Sequence, residues 1–547
     1  MSELQRQIQL AKYYRNLKFL VVDDFENFRL SVRQMIRAFG VEHIEVAGNG
    51  EDAVVRCENE NFDIILCDYN LGAGKNGQQV LEELRHNKLL KQTGIFVLIT
   101  AETSKDMVMG ALEYLPDGYI TKPMTKAVLQ KRLDVMIEQR ETLKPINDAI
   151  DKALVDKAIE LINEEIKTES KYTIWCYRKL AGLYYQKEQY DLARQIYENI
   201  LTKRDIGWAQ LGLGRVKLAQ GDYQGAIDDL QGLLKENGNL IEAYDWLAEA
   251  QLKKGNALEA QQTLNKAVEI SPFAIVRQKK LAEVCAKNKD VEGASVAFRK
   301  TVKLGHNSVH ESPENYLSLG RCLSELSEGD KTDLGKKRAK EALHTLERVG
   351  KKFKDVPSVQ VNSMLIQSRV HQGQGDEKKA KTMLEKVEST MDLEEADASM
   401  KLEFAKTLYT MGEVSKAEQL LFDLAQESGE DSSLMASIED LLDEPVSLQK
   451  KVKARKLNKQ GIGAFEKGDL AKAIEVFESA LVSTPKHPAL NLNIVQVMLK
   501  QIAEQKGNPE LKRRCEHCLA NVKHIPERHR QYKRYAHLVK KVQGLKG

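Results

Sequence analysis

Five short apolar segments punctuate the N-terminal quarter of the chain: Phe19 to Val22, His43 to Ala47, Asp63 to Cys67, Ile95 to Ile99 and Gly118 to Ile120. Each has the length and character of a buried strand. Between them the spacing changes, as from Phe25 to Phe39, where Phe28, Val32, Ile36 and Phe39 recur at helical intervals. Strand and helix signals in alternation predict an α/β fold, a doubly wound five-stranded parallel sheet, over residues 16–140. A helical extension, 1–15, precedes it.

From about Ile146 the strand signals vanish and Ala-rich amphipathic pairs take over. Ala193, Ala226, Ala260 and Ala294 follow one another at intervals of 33, 34 and 34 residues. A bulky residue stands four positions after each (Tyr197, Leu230, Leu264, Phe298) and a leucine thirteen before (Leu180, Leu213, Leu247, Leu281). A small residue at a fixed period lets two helices of a pair cross closely, while the bulky one fills the seam with the next pair. This stretch resembles tetratricopeptide repeats, most clearly in Tyr244 to Pro272 and Gly461 to Pro485. Less regular units fit around Ala158, Leu319 to Leu343, Ala380 and Ala417, for roughly eight to nine pairs in all. The resemblance implies an all-α superhelix that binds an unidentified protein or peptide in its groove. The organisation expected is a helical linker at 141–157, a first array block at 158–425, an acidic break or hinge at 426–450, and a second block at 451–547 with basic capping helices.

Composition narrows the classes of function. Among 547 residues, 83 Lys or Arg oppose 80 Asp or Glu, so the net charge of +3 gives no global drive toward nucleic acid. No apolar run approaches the roughly 20 residues that a membrane-spanning helix needs. The stretch from Met1 to Asn16 has no apolar signal core, which predicts a cytoplasmic protein. Seven scattered cysteines read as free thiols. No helix-turn-helix or other DNA-reading element is evident, so no DNA partner is expected.

Three local features stand out. Glu427 to Glu444 holds seven acids and no Lys or Arg, which reads as a solvated insertion. Lys506 to Gly547 holds twelve Lys or Arg against three Glu, a local net charge of +9, and reads as capping helices with one basic face. Cys515 and Cys518 have the spacing of half a zinc site, but no second pair follows, so a buried helical seam is the expected role.

The strand ends carry the chemistry. In a parallel α/β sheet ligands bind beyond the carboxyl ends of the strands. There stand Asp23 and Asp24, Asp68, Thr100, and Lys122 followed by Pro123. Three adjacent carboxylates repel one another unless a cation intervenes, and an all-oxygen cluster suits Mg²⁺. A lysine facing it suits a phosphoryl group.

The motifs VVDD, LCDYN, LITAE and GYITKP, in that order, are similar to those of the receiver domain of two-component response regulators. The resemblance implies a CheY-like sheet of order 2-1-3-4-5. It makes Asp68 the phosphoacceptor, charged by a histidine kinase or phosphotransfer protein. Asp23, Asp24, Asp68 and the Asn70 backbone carbonyl would hold Mg²⁺, Thr100 and Lys122 would contact the phosphoryl oxygens, and Tyr119 would turn inward when Thr100 is recruited. The chain departs from the family at Gly72, where a proline is usual four residues after the phosphoacceptor. The family often dimerises through the face at 104–137, here with Met107, Met109, Tyr114 and Leu115 as candidates; core packing of the same helix explains these residues equally well. The leading expectation is a response regulator, not an enzyme in the ordinary sense, whose output is phosphorylation-dependent protein binding by the array. The rivals are a constitutive scaffold with a non-switching receiver and a sink for phosphoryl groups.

Overall fold

The apolar runs form five strands: β1 (Lys18–Val22), β2 (His43–Ala47), β3 (Ile64–Asp68), β4 (Ile95–Thr100) and β5 (Gly118–Thr121). In the computed structural model they make one parallel sheet of order β2-β1-β3-β4-β5. The register aligns Val46, Val21, Leu66, Val97 and Gly118 in one row, so the carboxyl ends of β1, β3, β4 and β5 finish side by side. Residues described are 3–101, 110, 113–204, 206–393, 395–427, 432–441, 457–458, 460–483, 488–505, 508–523 and 532–545. They divide into two compact units, Met1–Lys354 and Asp355–Gly547.

Both faces of the sheet are covered, which is why β3 and β4 are continuous apolar runs rather than alternating ones. One face packs Phe19, Val21, Ile64, Leu66 and Val97 against α1 (Glu3–Asn16), α2 (Glu26–Arg37) and α5 (Lys126–Asp151). The other packs Leu20, Val22, Ile65, Phe96 and Leu98 against α3 (Gly50–Asn59) and α4 (Gly77–His86). The N-terminal extension is thus part of this domain: Leu10 and Tyr14 of α1 are buried in its core, and the Tyr14 hydroxyl donates to Asp134 of α5 at 2.8 Å. The linker expected at 141–157 begins inside α5, which runs through Pro145 to Asp151 without a break.

In the first unit the repeats form helix pairs: Thr173–Gln186 with Tyr190–Lys203, Gly207–Ala219 with Tyr223–Glu236, Ile241–Lys254 with Ala257–Ile270, Ile275–Lys287 with Val291–Gly305, and Pro313–Ser327 with Asp333–Lys352. Ala193, Ala226, Ala260 and Ala294 are all fully buried at the crossings. Of the four periodic leucines, Leu180, Leu247 and Leu281 are buried and Leu213 is half-buried.

The second unit holds further helices, among them Pro357–Gly373, Glu377–Thr390, Ala398–Thr410 and Val414–Glu427. Two differences from the expected organisation appear. The boundary between units falls at 354/355, inside the expected first block. The acid-rich stretch contains a helix, Ser432–Leu441, that buries Leu434 and Ile438 against Leu421 and Leu424; residues 442–456 lie outside the described residues. Cys515 and Cys518 sit buried on Pro509–Asn521, and burial pushes their thiols up to about 12 and about 11, the opposite of what a thiolate ligand requires.

The array makes one contrast testable. A helical glycine ordinarily gives up about 0.5–1 kcal/mol relative to alanine. A Cβ on Gly182 would meet nothing within 4 Å, whereas one on Gly212 would lie 2.4 Å from the Tyr197 ring. Gly182→Ala is expected to stabilise the first unit by about that amount, while Gly212→Ala reverses the sign and destabilises it by about 1–3 kcal/mol. Thermal unfolding followed by circular dichroism reads both.

Candidate functional site

Four of the five strand ends deliver functional side chains. Asp23 and Asp24 follow β1, Asp68 closes β3, Thr100 closes β4, and Lys122 follows β5. Carboxylate oxygens of Asp23, Asp24 and Asp68 all lie within 4.8 Å of one another, with Asp23 and Asp68 buried and Asp24 exposed. Lys122 Nζ donates to Asp23 Oδ2 at 2.7 Å and to Asp68 Oδ2 at 2.9 Å. The Lys122 N–H donates to the Thr100 carbonyl at 2.7 Å, so these two residues are tied through the backbone. Among the described residues this is the one cluster of acids, histidines or cysteines with the proximity to hold a metal ion. Three hard carboxylate oxygens suit Mg²⁺ or a similar cation, so the donor set fits the expected ion.

Burial and charge act against each other at the centre. Burial lifts the Asp68 carboxyl above the usual carboxylate range; Lys122 opposes that rise, and the neighbouring Asp23 adds to it. Burial alone would lower the Lys122 ammonium, but hydrogen bonds to Asp23 and Asp68 carry it above its ordinary value. Phe28 supports the lysine, whose Nζ stands 4.0 Å from the ring centroid. No local pattern marks that contact, because Phe28 falls on the apolar spacing of α2 and reads as core.

The loops fix the rest. The Asn70 N–H faces the Asp68 carboxylate and holds it toward its ionised form. Gly72 and Gly74 have φ values of +75° and +99°, in the left-handed region. Proline, locked near −65°, has no place at Gly72, so the departure from the family pattern follows from the backbone. The Lys75 N–H donates to Glu51 Oε1 at 3.0 Å and pins the end of this loop. Tyr119 is half-buried on β5 against the cluster that contains Leu98. Met107 and Met109 lie outside the described residues; Leu115 is exposed and Tyr114 is half-buried.

Three arginines of the array, Arg178, Arg215 and Arg321, differ in their surroundings. Arg215 lies between the rings of Tyr185 and Trp246, 4.7 Å from each centroid. Arg321 pairs with Glu314, and Arg178 is exposed. Arg277, which the repeat pattern does not mark, is buried and holds Asp245 through Nε at 2.7 Å and Nη2 at 2.6 Å.

A sheet of this order with three acids, a threonine and a lysine at its strand ends defines a receiver domain. Residues 19–134 match the family description "Response regulator receiver domain", and residues 217–281 match "Tetratricopeptide repeat". The chemotaxis protein CheY-3 of Vibrio cholerae is 32% identical over 125 residues, which cover 23% of this chain and 95% of that relative. The chemotaxis protein CheY of Pseudomonas aeruginosa is 29% identical over 123 residues, 22% of this chain and 98% of the relative. The solved C-terminal part of a TPR repeat-containing protein from Cytophaga hutchinsonii is 19% identical, covers 45% of this chain and 94% of its own, and has a TM-score of 0.35, a likeness too loose to bear on function. The chain belongs to the response-regulator family, with a receiver domain followed by tetratricopeptide repeats.

The buried Asp68 makes a signed prediction. Its folded-state carboxyl is raised, so the penalty of ionising it is absent below the unfolded value and grows as pH rises through the folded one. Asp68→Asn removes that penalty, and is expected to raise the unfolding midpoint of the full chain at neutral pH by a few degrees. The gain should disappear on acidification below the ordinary carboxylate range. A constant difference across pH in differential scanning calorimetry would contradict the assignment.

Proposed function

We propose that the chain is a response regulator in which Asp68 accepts a phosphoryl group from a histidine kinase or phosphotransfer protein, and in which the array gives the output by binding another protein. The observation that carries this reading is Lys122 Nζ bridging Asp23 and Asp68 beside a third carboxylate. An Asp68 oxygen attacks the phosphorus of the donor phosphohistidine; the P–N bond breaks, the imidazole leaves, and an acyl phosphate forms. Lys122 neutralises charge on the transferred oxygens, and Thr100 gains a phosphoryl contact in the modified form. Asp23, Asp24, Asp68 and the Asn70 carbonyl would hold Mg²⁺, which supplies further neutralisation at the phosphoryl oxygens. Water attack on the acyl phosphate later restores Asp68, so the chain acts only on itself.

Differential contact between the two forms of Asp68 is what allows a switch, with Tyr119 following Thr100 inward. No helix among the described residues is long and apolar enough to cross a membrane, which accords with the cytoplasmic site we assign. The face at 104–137 is the candidate for self-association. A constitutive scaffold is the second reading, favoured by the direct packing of the receiver on the array; it predicts pocket variants that behave as wild type.

Intact mass after treatment with Mg²⁺ and acetyl phosphate tests the acceptor. Wild type should gain one phosphoryl adduct, and Asp68→Asn none. An adduct on both proteins, or on neither, would contradict the reading.

A further inference from the structure

We propose that the receiver is latched to its own array through the helix that follows the phosphoacceptor strand, and that phosphorylation of Asp68 releases this latch. The proposal rests on the reading of Asp68 given above. It begins at Gly77, the first residue of α4. A Cβ there would stand 2.1 Å from the Asp68 carbonyl oxygen, and the Gly77 N–H donates to the Tyr69 carbonyl at 2.9 Å. The start of α4 is therefore packed against the backbone of the acceptor residue and hydrogen-bonded to the residue after it.

Two residues on, Gln79 faces both ways. Its Oε1 accepts from the Asn76 N–H at 3.0 Å and caps α4. Its Nε2 donates to the Leu304 carbonyl at 3.3 Å and the His306 carbonyl at 2.9 Å, where the array helix Val291–Gly305 ends. One turn further, Glu82 is buried beside the Tyr114 hydroxyl, and the array's His310 Nε2 is 4.0 Å from its Oε1. Burial pushes the Glu82 carboxyl up to about 7, and the Tyr114 hydroxyl partly offsets the rise.

The second anchor sits on the connection between β4 and β5. Glu113 accepts from Arg277 Nη1 at 2.7 Å, while the same guanidinium keeps its fork on Asp245. Phe273 packs against Gly110, where a Cβ would lie 3.3 Å from the Phe273 Cβ. The two anchors thus descend from β3 and β4, the strands whose ends hold Asp68 and Thr100. Recruiting Thr100 to a phosphoryl group on Asp68 displaces one anchor relative to the other, and bonds of these lengths do not survive such a displacement together. Glu82 sets the balance: a carboxylate buried at the docked surface is penalised there by desolvation and relieved on release, so the latch is reversible.

Two variants break the latch without entering the pocket. Gln79→Glu keeps an acceptor for the Asn76 N–H but turns a carboxylate oxygen on the two array carbonyls. Glu113→Gln neutralises the bridge and leaves Arg277 with Asp245. The test uses the full chain with Mg²⁺ and beryllofluoride, a phosphoryl mimic, read by ¹⁹F NMR for binding and by hydrogen exchange at 77–86 and 304–310. The mimic is expected to raise exchange at both segments of wild type. Each variant is expected to show raised exchange beforehand and, by linkage, to bind the mimic roughly threefold to tenfold more tightly, the scale of one hydrogen bond. Bound mimic with unchanged exchange at 304–310, or variants with wild-type affinity, would overturn the latch and leave the Asp68 reading intact. No bound mimic would overturn both.

Discussion

Crowding of like charge at one edge of the sheet is the constraint on which the rest of this structure depends. Asp23, Asp24 and Asp68 offer oxygens within 4.8 Å of one another, and a single ammonium from Lys122 lies among them. One positive charge does not neutralise three negative ones, so the cluster is stable only where a further cation, a proton or solvent shares the burden. The parallel register makes this unavoidable, because β1, β3, β4 and β5 finish in one row and each contributes its last residue or the residues just after it to the same small volume. Burial sharpens it by raising the Asp68 carboxyl. A divalent cation is what that imbalance favours.

The array works on a different principle. Each helix pair buries a small residue at its crossing and a bulky one in its seam, so neighbours stabilise one another along one dimension and leave side chains facing outward. In the first unit some of those outward positions are already engaged by the receiver through Gln79 and Glu113. The receiver and the helix pairs up to Lys354 therefore form one compact unit.

Much of this was legible in the chain. The five strands lie within about a residue or two of the apolar runs, and all five pocket residues come from positions immediately at or after strand ends, where local pattern and topology agree. The alanine period located helix crossings because close approach admits only small side chains. What stayed hidden depends on contacts between distant residues that no local period marks. Tyr14 to Asp134, Lys122 over Phe28 and Arg277 to Glu113 each join separate elements. The N-terminal extension reads as a separate helix until Leu10 and Tyr14 are seen in the core. The acid-rich stretch reads as a solvated break because its charge hides Leu434 and Ile438, one helical turn apart, which are buried. Gly72 looks like a departure from the family pattern until its positive φ is known.

The central claim is that the three carboxylates exist to hold a cation beside Asp68. Isothermal titration of the full chain with Mg²⁺ tests it most directly, with Asp23→Asn as the comparison. The account predicts one ion bound per chain at millimolar concentrations or below, and affinity at least roughly tenfold weaker in the variant, the scale of losing one charged ligand. Absence of binding, or equal binding by both proteins, would contradict it.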